Sequence, residues 1–453
     1  MKKKISLFSL VCLVVAAIDS IRNLPAQALF GSSLIFFFLL SAILFLIPIS
    51  LLSAELSSRY PEEGGVFHWV RHAFGEHAAM VAIWLQWINT VVWYPTILSF
   101  IAGTMAYLIN PVLAQNKIFL ACAILFFFWG LTLLNLLGIQ LSARINSFCI
   151  IIGTLFPMAL LIAFGIYWCA SGHPLQIAFG IHDLIPHLGD SGNWISLIAI
   201  MASFLGIELA GVHVNDIKNP QKNFPKAMGY SVFILVVTIL LGSLSIGMVI
   251  PGKEIRLVDG IMQTFTTFFM NFHIPVPPSI LALLIIIGSL GGMINWLISP
   301  AKGLLQASHF GFLPLGFTKK NTYGVPVRIM ITQAGLVSIF CLAFVLMPSI
   351  NAFYWFLTAL STEMYMIMYI FMCAAGLKLG RPASGSGSFR MPKGTRTLTC
   401  FLGITACVLT IVVGFFPPEG INVGSQFHYV LMIGLGNIIL TLPVIGICLG
   451  KRK

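Results

Sequence analysis

Stretches of about 20 apolar residues recur from one end of this chain to the other, each long enough to cross a hydrocarbon core about 30 Å thick as a helix. Twelve are expected, at 6–28, 33–54, 79–109, 118–138, 143–170, 194–214, 228–250, 279–306, 327–347, 352–378, 398–416 and 427–449. A transmembrane barrel would instead show short alternating strands. Charged residues make up 8% of the 453 positions against 58% hydrophobic, too few to clothe a soluble domain of this size. The expected fold class is therefore all-α integral membrane, with the lipid bilayer as solvent and one transmembrane domain over 1–453. The linkers are short, and the one low-complexity piece is the flexible tie "ASGSGSF" from Ala383 to Phe389.

The net charge of +12 would suit a nucleic-acid partner, but the positions of the basic residues exclude that reading. With both termini cytoplasmic, 21 of the 25 Lys and Arg fall inside, and only Lys117, Lys253 and Arg256 fall outside. That asymmetry is the positive-inside pattern of a multi-pass membrane protein. The start imitates a secretory signal, with "MKKK", an apolar run and the triplet Ala26, Gln27, Ala28. Retention is expected, because the remaining spans need the first one to keep both ends inside. The nine cysteines lie in or beside apolar spans without a CxxC pair and read as small core residues.

Polar residues interrupt the first span in "AAIDSIRNLPAQALFG". Pro25 removes a backbone donor, and Asp19, Ser20 and Asn23 compete with the helical ladder through their side chains. The helix is expected to open there, and open backbone at membrane depth is tolerable only when protein buries it or it lines a cavity. A second break is expected in the sixth span, "SLIAIMASFLGIELAGVHVND", at Ser203 to Gly206, with Glu208 just after it. Breaks in spans one and six suit a five-plus-five inverted repeat, since an odd repeat length reverses the orientation of the second copy. The repeats would cover 1–170 and 194–378, with 398–449 as two accessory helices.

The segment "GIELAGVHVNDIKNPQKNFPKAM", Gly206 to Met228, resembles the signature of the amino acid–polyamine–organocation superfamily: Gly-x-Glu in the sixth span, an acidic residue, Asn-Pro, then Pro-x-Ala. "PEEGGVFHWVRHAFG", "IPGKEIRLVDGIMQTF", "WLISPAKGLLQA" and "YGVPV" follow in the family's order. Together they are most similar to the bacterial glutamate/γ-aminobutyrate antiporters, over nearly the whole chain. One departure stands out: where that subfamily offers a glutamate four residues before the Trp of "WLISP", this chain has Gly292. The chain also stops at Lys453, so a cytoplasmic plug made from the tail is not expected.

The resemblance implies a LeuT-like fold and an amino acid held between the two breaks, at Ala16, Ala17, Ile18, Asp19 and Ser20 on one side and Ser203, Phe204, Leu205 and Gly206 on the other. Helix N-termini would face the substrate carboxylate, with Gly292 and the tenth-span Tyr365 completing the pocket. Glu208, Asp19 and Glu363 are the acids well inside spans and the candidates for proton coupling. Asp19 and Arg22 are three apart and could pair with each other or serve a substrate, Arg22 toward the outer vestibule. Tyr365 and Tyr369 share a face beside Glu363. His68, His72 and Glu76 have zinc spacing if helical, but read as ordinary headgroup-level residues. His173, His182, Asp183, His187 and Asp190 read as a solvated loop.

The expected function is secondary amino acid transport by alternating access, as an antiporter, with a proton-coupled amino acid or polyamine symporter as the alternative. An embedded enzyme would need a motif such as HExxH or GxSxG, and a nucleotide-driven pump a Walker A loop; the sequence has neither. A channel would show a repeated filter or charge ring. No cofactor is expected, and a homodimer is compatible with the sequence.

Overall fold

The computed structural model describes residues 6–60, 65–138, 148–149, 151–186, 191–208, 220–379 and 389–451. Among these the chain is helical, with nine helices long and apolar enough to cross a membrane. Two shorter apolar helices, Gly192–Phe204 and Val327–Leu342, add to them. Large apolar side chains such as Phe126 and Phe427 are left exposed on the outside, as lipid-facing surfaces require.

The first helix, α1 (Leu7–Ile18), ends where its polar residues begin. Asp19 makes the last helical bond, from its N–H to Val15 O, and Ser20 is extended at φ −140°, ψ 117°. A 3-10 turn, Ile21–Asn23, leads into the short α2 (Leu24–Ala28), which carries Pro25 in its first turn, where a missing N–H breaks no bond. The interruption is therefore narrower than expected: Ala16, Ala17 and Ile18 are still helical, and only Asp19 and Ser20 leave the ladder.

The second span, α3 (Gly31–Arg59), runs five residues past its expected end. It contains a π-helical turn, Ala42–Leu46. A short α4 (Val66–Phe74) ends at Gly75, and α5 (Glu76–Ile109) follows, with Pro95 inside it. Then come α6 (Lys117–Leu136), α7 (Ile151–Ala170, opening with a π-turn) and α8 (Ser196–Phe204).

The second break follows α8. Leu205 is extended at ψ 138°, and Gly206 sits at φ +93°, a left-handed conformation that costs glycine little and other residues more. Ile207 and Glu208 form a 3-10 turn. Here too the break is narrower than expected, since Ser203 and Phe204 are helical. The signature residues 209–219 lie outside the described residues, as do the Pro-Glu-Glu-Gly of the second-span loop and His187 and Asp190.

The remaining helices are α9 (Pro220–Val249), α10 (Gly260–Asn271), α11 (Ser279–His309), α12 (Val327–Leu346), α13 (Ile350–Lys378), α14 (Lys393–Gly414) and α15 (Gln426–Gly450). At the centre α5 lies between α11 and α13, while α9 packs along α1, α2 and α7. Two backbones come together at Gly153 of α7 and Gly288 of α11, where a Cβ on Gly288 would stand 2.4 Å from the other glycine's Cα. Small residues that let backbones meet are the usual solution where no hydrophobic driving force exists between helices.

Between α9 and α10 the chain is tied down by Asp259, which accepts from Tyr107, Gln115 and Arg256, each at 3.0 Å. Burial pushes the Asp259 carboxyl above its ordinary range, and the neighbouring Arg256 guanidinium opposes that push.

Candidate functional site

A small cavity of about 90 Å³ lies where the two helix breaks meet α5 and α11. Ile18, Asp19 and Ser20 border it from the first break, Ser203 and Leu205 from the second, Gly292 from α11 and Tyr365 from α13. Not all the expected residues do so. Phe204 is fully buried edge-on against Phe38, and the Gly206 N–H donates to the Tyr369 hydroxyl at 3.1 Å. Gly292 has open space where a side chain would begin.

Asp19 and Arg22 both line this cavity and both are about 95% buried, yet they are spent on different partners. Asp19 Oδ2 accepts from Thr238 of α9 at 2.9 Å, and its Oδ1 has no partner among the described residues. The Arg22 guanidinium donates from Nη1 to Thr96 at 3.2 Å and lies 4.5 Å from the centre of the Trp93 ring. Its Nε has no partner among the described residues. Of the two alternatives, pairing with each other is not what the structure shows: the two groups are held separately, and Arg22 faces the cavity. Tyr354 fixes the turn between them by donating to Arg22 O at 3.2 Å.

Glu208 lies just beyond the cavity and is fully satisfied. Its Oε1 accepts from Gln86 at 2.9 Å and from the Tyr365 hydroxyl at 2.6 Å, and its Oε2 from the Tyr369 hydroxyl. Ser53 of α3 donates to Glu208 O at 2.7 Å, so α3, α5 and α13 all converge on one residue of the second break.

Glu363 is elsewhere. It accepts from Asn437 of α15 through Oε2, and a Cβ on Gly414 of α14 would come within 2.1 Å of its Oε1. It does not border the cavity, and Tyr365 and Tyr369 turn to Glu208 instead. His68, His72 and Glu76 do not share one helix, because α4 stops at Phe74 and Gly75 at φ +86° redirects the chain. Among the described residues no group of three or more potential ligands could hold a metal ion. All nine cysteines are free.

The contributors from α5 escaped the sequence reading. Asn89 and Trp93 border the cavity from α5, and Gln86 on the same helix reaches Glu208. Their signal was present, since "WLQWINTVVWYP" puts two amides and three Trp into one apolar span. Amides at membrane depth hydrogen-bond to neighbouring helices or line cavities.

The chain is similar to known transporters. Residues 5–438 match the profile of an amino acid permease family. An uncharacterized transporter of Legionella pneumophila is 39% identical over 443 residues, covering 97% of this chain and 95% of that protein. A glutamate/gamma-aminobutyrate antiporter of Lactococcus lactis is 27% identical over 449 residues, covering 97% and 89%. A Lactococcus lactis protein named as an agmatine/putrescine antiporter is 23% identical over 463 residues, covering 100% and 96%.

Proposed function

The chain belongs to the amino acid permease family, a family of transporters rather than enzymes, and from that premise we propose that it is a secondary amino acid antiporter working by alternating access. The observation that carries the reading is the cavity at the meeting of two broken helices, lined by Asp19 and Ser20 on one side and Ser203 and Leu205 on the other. Irregular backbone at membrane depth belongs where it lines such a cavity, and substrates of inverted-repeat transporters bind at the repeat interface.

The nine long helices, the two shorter apolar ones and the broken pair α1–α2 together make the twelve spans of this reading. Residues 1–170 and 194–378 are its two inverted repeats and 398–449 its accessory helices. Both termini are cytoplasmic, in a bacterial inner membrane. Ile18 to Ser20, Ser203, Leu205, Gly292 and Tyr365 contact the substrate. Glu208, linked to α5 and α13, is the first candidate for proton coupling and so for the symport alternative.

The test is counterflow. Proteoliposomes holding the purified chain are loaded with one unlabelled amino acid at a time, and uptake of the labelled compound is followed. Accumulation only with internal substrate establishes exchange. Uptake driven by a proton gradient into empty vesicles establishes symport, and no transport of any amino acid or amine overturns the proposal.

A further inference from the structure

We propose that Asp19 and Arg22 receive the two charged ends of one zwitterionic α-amino acid, Asp19 the ammonium and Arg22 the carboxylate. The inference rests on the transporter reading above and extends it, by assigning the charged ends to side chains of the first break.

Three residues apart and both buried, these groups would be expected to neutralise each other, because an isolated charge away from water is costly. They do not. Thr238 holds one side of Asp19, Thr96 and Trp93 hold Arg22, and Oδ1 of the acid and Nε of the base are left without partners among the described residues. Asp19 is the one acid and Arg22 the one base among the described residues that line the cavity. A ligand carrying both charges compensates both groups at once. A simple amine would leave the guanidinium unmatched, and a simple acid the carboxylate.

The backbone argues the same way. Both α1 and α8 reach the cavity by their C-terminal ends, with Ile18, Ser203 and Leu205 at its border. Such ends present free carbonyls and the negative pole of the helix dipole, which suit a cation. The resemblance implied a helix N-terminus for the carboxylate; the turn Ile21–Asn23 that opens the second half of the first span does border the cavity, and it carries Arg22, the one base there, so the carboxylate is assigned to Arg22. A planar guanidinium matches a carboxylate well. The room is compatible: at about 90 Å³ the cavity can take more than one water and so a compact zwitterion.

The experiment uses the purified full-length chain. Thermal stabilisation is screened against the twenty proteinogenic amino acids, and the best stabiliser is then compared with its decarboxylated amine and its deaminated acid. Both analogues are expected to bind on the order of 100-fold more weakly, the cost of leaving one buried charge unmatched. Asp19→Asn should weaken the amino acid and shrink its advantage over the deaminated acid. Arg22→Gln should shrink its advantage over the amine, and Arg22→Lys should restore part of it. A merely structural ion-holding role would lower stability without moving these two preferences separately.

Wild-type protein that binds the amine as tightly as the amino acid overturns the assignment while leaving the transporter reading in place. Unchanged preferences in folded Asp19→Asn and Arg22→Gln overturn it as well. Wild-type protein that neither binds nor exchanges any of these compounds overturns the transporter reading itself.

Discussion

At the scale of single residues, Glu208 and Glu363 show how differently two buried acids can be used. Glu208 takes hydrogen bonds from Gln86, Tyr365 and Tyr369, and the Tyr369 hydroxyl in turn takes the Gly206 N–H. Glu208→Gln keeps an acceptor for Gln86 and Tyr365 but turns a donor toward Tyr369, and it removes the titration. It is expected to fold, to bind substrate and to flatten the dependence of transport on pH, measured by uptake into proteoliposomes across a pH series. A wild-type profile would make Glu208 a strut. Glu363→Ala, by contrast, should cost about 1–3 kcal/mol of stability by leaving Asn437 short of a partner, with the substrate profile unchanged; Glu363→Gln should cost little. A denaturation midpoint in detergent and a competition assay check both. The rarity of acids inside apolar spans made these residues legible in the sequence, but not the direction each one faces. At 3.6 residues per turn, positions two apart are about 200° round a helix, so Glu363 and Tyr365 meet different neighbours although they read as one cluster.

Among helices, the informative contrast lies along α11. Gly288 and Gly292 are one turn apart and both border the cavity, but a Cβ on Gly288 collides with the backbone of α7, whereas one on Gly292 meets nothing within 4 Å. Gly288→Ala should therefore force α7 and α11 apart and lower stability by about 1–3 kcal/mol, read from thermal denaturation. Gly292→Glu should fold normally and shift the preference among neutral, cationic and anionic amino acids in competition assays; an unchanged profile would place that position outside recognition. Gly292 drew notice through its departure from a family pattern. The crossing at Gly153 and Gly288 did not, because which of the chain's 41 glycines meet depends on the register of two distant helices. Helix ends were legible only to within a few residues for a physical reason. The second span was expected to stop before Glu55, yet that carboxylate lies in protein rather than lipid, 3.6 Å from Arg396 of α14, and the helix continues to Arg59.

Over the whole molecule, hydropathy and the distribution of Lys and Arg were enough to anticipate a helical membrane protein. The three-dimensional ties between its ends were not legible, since they join residues hundreds apart. Lys451 pairs with Glu76 at 2.7 Å and Trp84 donates to Leu440 O at 2.8 Å, so the chain's last helix is fastened along α5. The end of α15 and the start of α5 therefore share one side of the bilayer. Alkaline phosphatase fused after Lys453 is expected to be inactive in cells and the same reporter inserted after Lys253 active; the reverse would invert the proposed orientation. The contact of Gly153 with Gly288 bears on how such a molecule can work. With no side chain between the two backbones, a slide of α7 along α11 at this point would leave nothing to repack. Under the alternating access proposed above, such a crossing would act as a bearing, letting one wall of the cavity slide without opening a gap beside it.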